Sequence, residues 1–149
     1  MSDIEKVKKI REATSLSVGE ISKALAEAGG NEVKALEFLK NRGVQIASKK
    51  AAREIKEGIV ECYIHGNKKV GAILELGSET DFVARNEEFK KLAHELAMQV
   101  VSMNPKDVDE LMSQPFIKDS TMTVAELVNQ YIAKLGENIK VGNFTRLEI

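Results

Sequence analysis

A chain of 149 residues, 43% hydrophobic and 30% charged, has the make-up of a soluble globular protein with one compact domain and room for a small satellite module. A net charge of −1 gives no general attraction to nucleic acid, and the lone cysteine, Cys62, excludes an internal disulfide. No apolar run approaches the ~20 residues that span a bilayer, and "MSDIEKVKKI" lacks the apolar stretch of a secretory signal, so the expected location is the cytoplasm. Residues 1–57 carry 12 basic and 9 acidic side chains, and residues 58–149 carry 10 and 14, an asymmetry that fits two modules.

Ile4, Val7 and Ile10 recur at three-residue spacing and predict a first helix to about Ala13, broken by "TSLSVGE". Ser17 with Glu20 reads as a capping box for a second helix, with Val18, Ile21 and Leu25 on its inner face and a stop at "GGN". Asn31 caps a third helix whose expected inner face is Val33, Leu36 and Leu39, closed by "NRG" at Gly43. Helices of this length do not stand singly, so the three form a small bundle. The polar stretch "ASKKAAREIKE" from Ala47 suits an exposed connector helix, which Gly58 stops. The expected division is a module at 1–45 and a core at 46–149.

The period then changes to two. "GIVECYIHGNKKVGAILEL" predicts a hairpin turning at "HGN", with Val70, Ala72, Leu74 and Leu76 on one covered face. From Asn86 a long helix carries Phe89, Leu92, Ala93, Leu96, Ala97, Val100 and Val101 on one stripe, and Pro105 ends it. After a stretch around "SQPFIKD" expected to be irregular, Val124, Leu127, Val128, Tyr131, Ile132 and Leu135 predict another helix, stopped by Gly136. "ENIKVGNFTRLEI" alternates as a final strand returning to the hairpin. The fold class is α+β, a small antiparallel sheet packed with helices behind the helical module.

No nucleophile–base pair is visible. Cys62, mid-strand among apolar residues, reads as a structural thiol, His65 as a surface residue at the turn, and His94 as a boundary residue on the long helix. Glu79, Asp81 and His94 lack a metal-ligand spacing, and Gly77 alone does not make a phosphate loop. No catalytic residue, metal or cofactor is expected, which leaves a binding protein. The conspicuous feature is "SETDFVARNEEF", which sets Phe82 beside Asp81 just before a helix start. The ring is either a staple folded into the core or a wedge offered to a partner.

"SETDFVARNEEFKKLA" after "VGAILEL" resembles the short form of bacterial elongation factor Ts. "VKKIREATSLSVGEISKALAEAGGNEVKALEFLKNRG" resembles that family's N-terminal module, which is similar to ubiquitin-associated (UBA-like) domains. "SKKAAREIKEGIV" resembles its connector and "LGENIKVGNFTRLE" its closing strand. The resemblance implies a guanine nucleotide exchange factor for elongation factor Tu. In it, Thr80, Asp81, Phe82 and Val83 would intrude near the partner's magnesium and phosphate site, which favours the wedge. By position it places Arg11, Val18 and Lys23 on the surface facing the partner's nucleotide domain. Two departures stand out: "SLSVGE" puts Val18 and Gly19 where the family has a pair of methionines, and only Asn104 to Ser113 stands between the long helix and "QPF". Short members of the family pair two chains, so a homodimer is among the implied assemblies, while no nucleic-acid or membrane partner is. Two other classes stand beside this reading: a ubiquitin-like or nascent-chain binding module without exchange activity, and a small-molecule enzyme.

Overall fold

In the computed structural model, which describes residues 2–14 and 16–149, helices pack on one face of a central antiparallel sheet behind three N-terminal helices, an α+β fold. The elements are α1 (Asp3–Thr14), α2 (Val18–Glu27), α3 (Glu32–Lys50), β1 (Glu57–Ile64), β2 (Val70–Ser78) and α4 (Asp81–Ala84). There follow α5 (Glu87–Met103), α6 (Val108–Ser113), β3 (Pro115–Phe116), β4 (Asp119–Thr123), α7 (Val124–Leu135) and β5 (Lys140–Glu148).

The N-terminal helices start where their caps predict. The Ser17 hydroxyl accepts from Glu20 N at 3.2 Å, and the Asn31 side chain accepts from Lys34 N at 3.0 Å. Ser15, within the expected break, lies outside the described residues. Ile10, Leu16, Ile21, Leu25, Ala35 and Leu39 close a small core among α1, α2 and α3. The expected inner faces need correction: Ile4, Val18, Val33 and Leu36 are exposed, and α3 buries Ala35 and Gly43 beside the expected Leu39. These lie four residues apart, along the row that meets the facing helices.

Gly43 does not end α3, which runs on to Lys50 and takes in the start of the expected connector. A glycine inside a helix costs about 1 kcal/mol relative to alanine. The packing of α3 on α7 does not require it: a Cβ at Gly43 would stand 3.9 Å from the Asn129 carbonyl oxygen, an ordinary van der Waals contact. The helix therefore bridges the two cores, contributing Leu39 to one and packing Ile46 and Ala47 against the other.

The hairpin forms as expected, and β5 returns beside β2, giving the order β1-β2-β5 with every pair antiparallel. Ala72, Leu74 and Leu76 face inward and share a core with Phe89, Leu92, Ala93, Leu96, Val100 and Val101 of α5, while Ala97 is buried beside it. α5 ends at Asn104, which adopts the left-handed conformation (φ 46°) ahead of Pro105. Gln99, buried on the same helix, donates to Pro115 O at 3.0 Å and accepts from Ile117 N at 2.9 Å. It thereby holds the β3–β4 hairpin, a stretch expected to be irregular. Among the described residues no helix is long and apolar enough to cross a membrane.

The outer face of the sheet is open. Val60, Ile64, Ile73 and Leu147 are each at least half exposed there. Cys62 shares their parity and is exposed too, which corrects its reading as a structural thiol: its apolar neighbours lie on the open face.

Candidate functional site

Leu76 and Ser78 are the last inward residues of β2, and beyond them the chain turns sharply toward α5. Thr80 caps the single turn α4, its Oγ1 accepting from Val83 N at 3.4 Å. Arg85 follows as the C-cap, and Asn86 at once caps α5 by accepting from Glu88 N at 2.8 Å. Two caps six residues apart thus make a tight hook, Thr80–Val83, between the central strand and the longest helix of the core.

One helical turn sorts its side chains by direction. Ala84 is buried and Val83 half-buried against the main core, so the hook is anchored from below. Asp81 and Phe82 point away, and Phe82 is 83% exposed. The ring is therefore no staple. Phe89, fully buried on α5, holds the aromatic core position. Asp81 carries its own counter-charge, with Arg85 Nε at 2.9 Å on an exposed pair.

The base of the hook is pinned from across the fold. The Glu137 carboxylate, in the α7–β5 connection, accepts from Glu79 N at 3.1 Å, Thr80 N at 3.0 Å and Thr80 Oγ1 at 2.6 Å. In return, Glu79 Oε2 accepts from Asn138 N at 2.7 Å, and Asn138 Nδ2 donates to Arg53 O at 2.8 Å. Ser78, fully buried, donates to Thr80 O at 2.9 Å. None of Glu79, Glu137 and Asn138 was singled out as a partner of the hook by sequence reasoning. The available signal was local, a carboxylate and an amide directly after the helix-stopping Gly136, residue types that satisfy loop backbone donors.

The residues expected on the N-terminal module do not form one cluster with the hook. Arg11 is exposed in the last turn of α1, Val18 is 46% exposed at the start of α2, and Lys23 is exposed further along that helix. Val18 and Lys23 are five positions apart, about 140° around the helix axis, so they look in different directions. Lys23 borders a groove of about 320 Å³ between α2 and α3, with Glu20, Phe38 and Arg42 on its walls.

Among the described residues no group of three or more His, Cys, Asp or Glu is placed to hold a metal ion. Glu79 is engaged by Asn138 and Arg53, Asp81 by Arg85, and His94 lies exposed on α5 with its ring edge-on to Tyr63 at 5.7 Å. His65 is exposed at the hairpin turn, 3.0 Å from the Tyr63 hydroxyl.

A family model described as Elongation factor TS matches residues 79–149, beginning at the hook. The chain is similar along nearly its whole length to proteins named elongation factor Ts. Identity is 40% with that of Thermotoga petrophila, covering 96% of this chain and 94% of the relative. It is 37% with that of Desulforamulus reducens, covering 96% and 87%, and 38% with that of Finegoldia magna, covering 96% and 87%. The alignment with the Thermotoga protein runs over 186 positions, more than the 149 residues of this chain, so that relative carries residues this chain lacks.

Proposed function

The chain belongs to the elongation factor Ts family of translation elongation factors, and from that premise we propose that it is the guanine nucleotide exchange factor for elongation factor Tu. The observation that carries the reading is Phe82, 83% exposed on a turn whose neighbours are capped, anchored and pinned. Single exposed apolar side chains are ordinary; what distinguishes Phe82 is that it projects from a turn capped at Thr80 and pinned by Glu137, a form that suits insertion into a partner. Thr80, Asp81, Phe82 and Val83 form the inserting element.

Exchange of this kind makes and breaks no covalent bond. A ligand that binds the nucleotide-free state of its host better than the nucleotide-bound state speeds nucleotide loss, by an amount set by that difference in affinity. In the partner's phosphate site a magnesium ion would require near-ideal octahedral geometry, so a small displacement of one supporting element weakens its hold. Phe82 supplies the displacing volume, Asp81 an acceptor for backbone donors freed in the process, and Val83 the anchor against the core. Arg11, Val18 and Lys23 give the N-terminal module its share of the contact. The division into a module at 1–45 and a core at 46–149 belongs to the same proposal.

The test is release of fluorescent GDP from elongation factor Tu with and without this protein; faster release supports the reading, and an unchanged rate across a concentration series defeats it. A second copy of the chain is a further proposed partner, favoured by the open apolar sheet face of Val60, Ile64, Ile73 and Leu147. Sedimentation equilibrium of the parent against Ile73→Lys tests that pairing: a dimer lost on substitution supports it, and a monomeric parent removes it.

A further inference from the structure

The hook is held by groups 57 residues away in sequence, and the form of that hold points to a role of its own. Glu137 gives both oxygens to the hook base: one to the two successive N–H groups of Glu79 and Thr80, the other to the Thr80 hydroxyl. The hydroxyl is thereby fixed in direction. It donates to the carboxylate and turns its lone pair to Val83 N, which sets the start of α4. The reciprocal arm runs from Asn138 N to Glu79 Oε2. Asn138, 2% exposed, sends its amide on to the carbonyls of Ala51 and Arg53, directly after α3, and Lys50 Nζ donates to Gly136 O at 2.9 Å. One short connection between α7 and β5 thus ties the hook to the end of the helix that carries the N-terminal module.

We propose that Glu137 is a positioning residue for exchange: with Asn138 it fixes the direction in which Phe82 projects and registers the hook against the end of α3. This rests on the reading of the hook as the inserting element. A four-residue turn has too few internal hydrogen bonds to keep one orientation. Hydrogen bonds to a charged acceptor are the stronger kind, and three of them converge here on a half-buried carboxylate. Without them the ring remains exposed and able to bind, but it samples directions that do not insert. Glu137 touches neither the ring nor the partner in this account, and acts through Thr80.

The parent, Glu137→Ala and Glu137→Gln are compared in fluorescent GDP release from elongation factor Tu across a concentration series and in amide hydrogen exchange of the free chain. For Glu137→Ala the expected result is a plateau release rate lower by roughly tenfold, as for a factor that still binds through its other contacts but holds the hook in its inserting orientation one tenth as often. The half-effect concentration changes little, and the Glu79 and Thr80 amides exchange faster. Glu137→Gln, whose remaining oxygen still accepts from both amides, recovers most of the plateau. A merely structural role moves the other parameter, because a partly unfolded variant supplies less active factor: the half-effect concentration rises and the parental plateau is still reached. That pattern overturns the proposal, as does a parental plateau with faster amides. Should the alanine variant not fold, Glu137→Asp replaces it, keeping the charge but one methylene short of both amides; a lowered plateau supports the proposal and an unchanged one overturns it. A parent that leaves GDP release unchanged overturns the exchange reading itself and the proposal with it.

Discussion

Replacing Phe82 with alanine separates what the ring does for the fold from what it does for a partner. Full burial of a phenylalanine side chain is worth up to about 3 kcal/mol. With 83% of the residue exposed, only about 0.5 kcal/mol of that is realised within the chain. Phe82→Ala is therefore expected to lower the melting temperature by only about 1–2 °C for a protein of this size. The remaining burial, about 2 kcal/mol after allowing for the retained Cβ, is available only in the complex. If it is spent in the nucleotide-free state alone, its loss slows stimulated GDP release roughly thirtyfold, at 1.4 kcal/mol per factor of ten. The loss should appear in the maximal rate at saturating factor, since the N-terminal module and the rest of the core keep their contacts. Asp81→Asn keeps the shape and loses one exposed ion pair with Arg85, so its effect stays within roughly fivefold. Thermal melts and stopped-flow release on the same samples decide the matter. A Phe82→Ala protein that melts far below the parent, yet exchanges at the parental rate where folded, would refute the wedge.

Three further outcomes test the frame that holds the hook. Leu96→Ala, at a fully buried position of α5, should destabilise the chain by about 2–5 kcal/mol in a denaturant titration, against less than about 0.5 kcal/mol for Lys90→Ala on the exposed face; equal costs would contradict the helix face. Limited trypsin digestion should cut first after Arg53 or Lys56, in the exposed segment between α3 and β1, and a first cut within Glu87–Met103 would contradict the division into module and core. Burial, aided by the Glu95 and Glu88 carboxylates, pushes the Tyr131 phenol up to about 12. A raised phenol stabilises the fold only while protonated, so its contribution is whole below pH 10 and is lost between pH 10 and 12. Stability of Tyr131→Phe should fall less steeply than the parent's across that window, and parallel curves would remove the claim.

Periodicity carried the parts of the fold where one face is covered for several turns. α5 and α7 are long enough that each apolar position is confirmed by the next, and their stripes are buried as the spacing predicts, with Tyr131 and Leu135 half covered. The short N-terminal helices offer two or three such positions each, and there Ile4 and Val33 were assigned inward although no neighbouring element covers them. Gly43 was read as a stop because helix propensity is local, whereas α3 is carried through it to Lys50 by the packing of Ile46 and Ala47 on the main core. Cys62 was misplaced because a strand covered on one face leaves every second apolar residue outside, and composition alone does not say which. At the site, what was legible was an apolar ring beside a carboxylate just before a helix start; the turn α4 and its caps Thr80 and Asn86 came from the structure. Its support was not, because Glu137 and Asn138 act on backbone groups, and backbone donors leave no mark on the sequence that pairs them.

Calorimetric titration of the chain into nucleotide-free and GDP-bound elongation factor Tu tests the central claim most directly, because acceleration of release requires a difference in affinity and linkage makes it reciprocal. The account predicts binding to the nucleotide-free form at least about tenfold tighter, with GDP weakening the complex by the same factor. Equal affinity for the two forms would contradict it, whatever the exposure of Phe82.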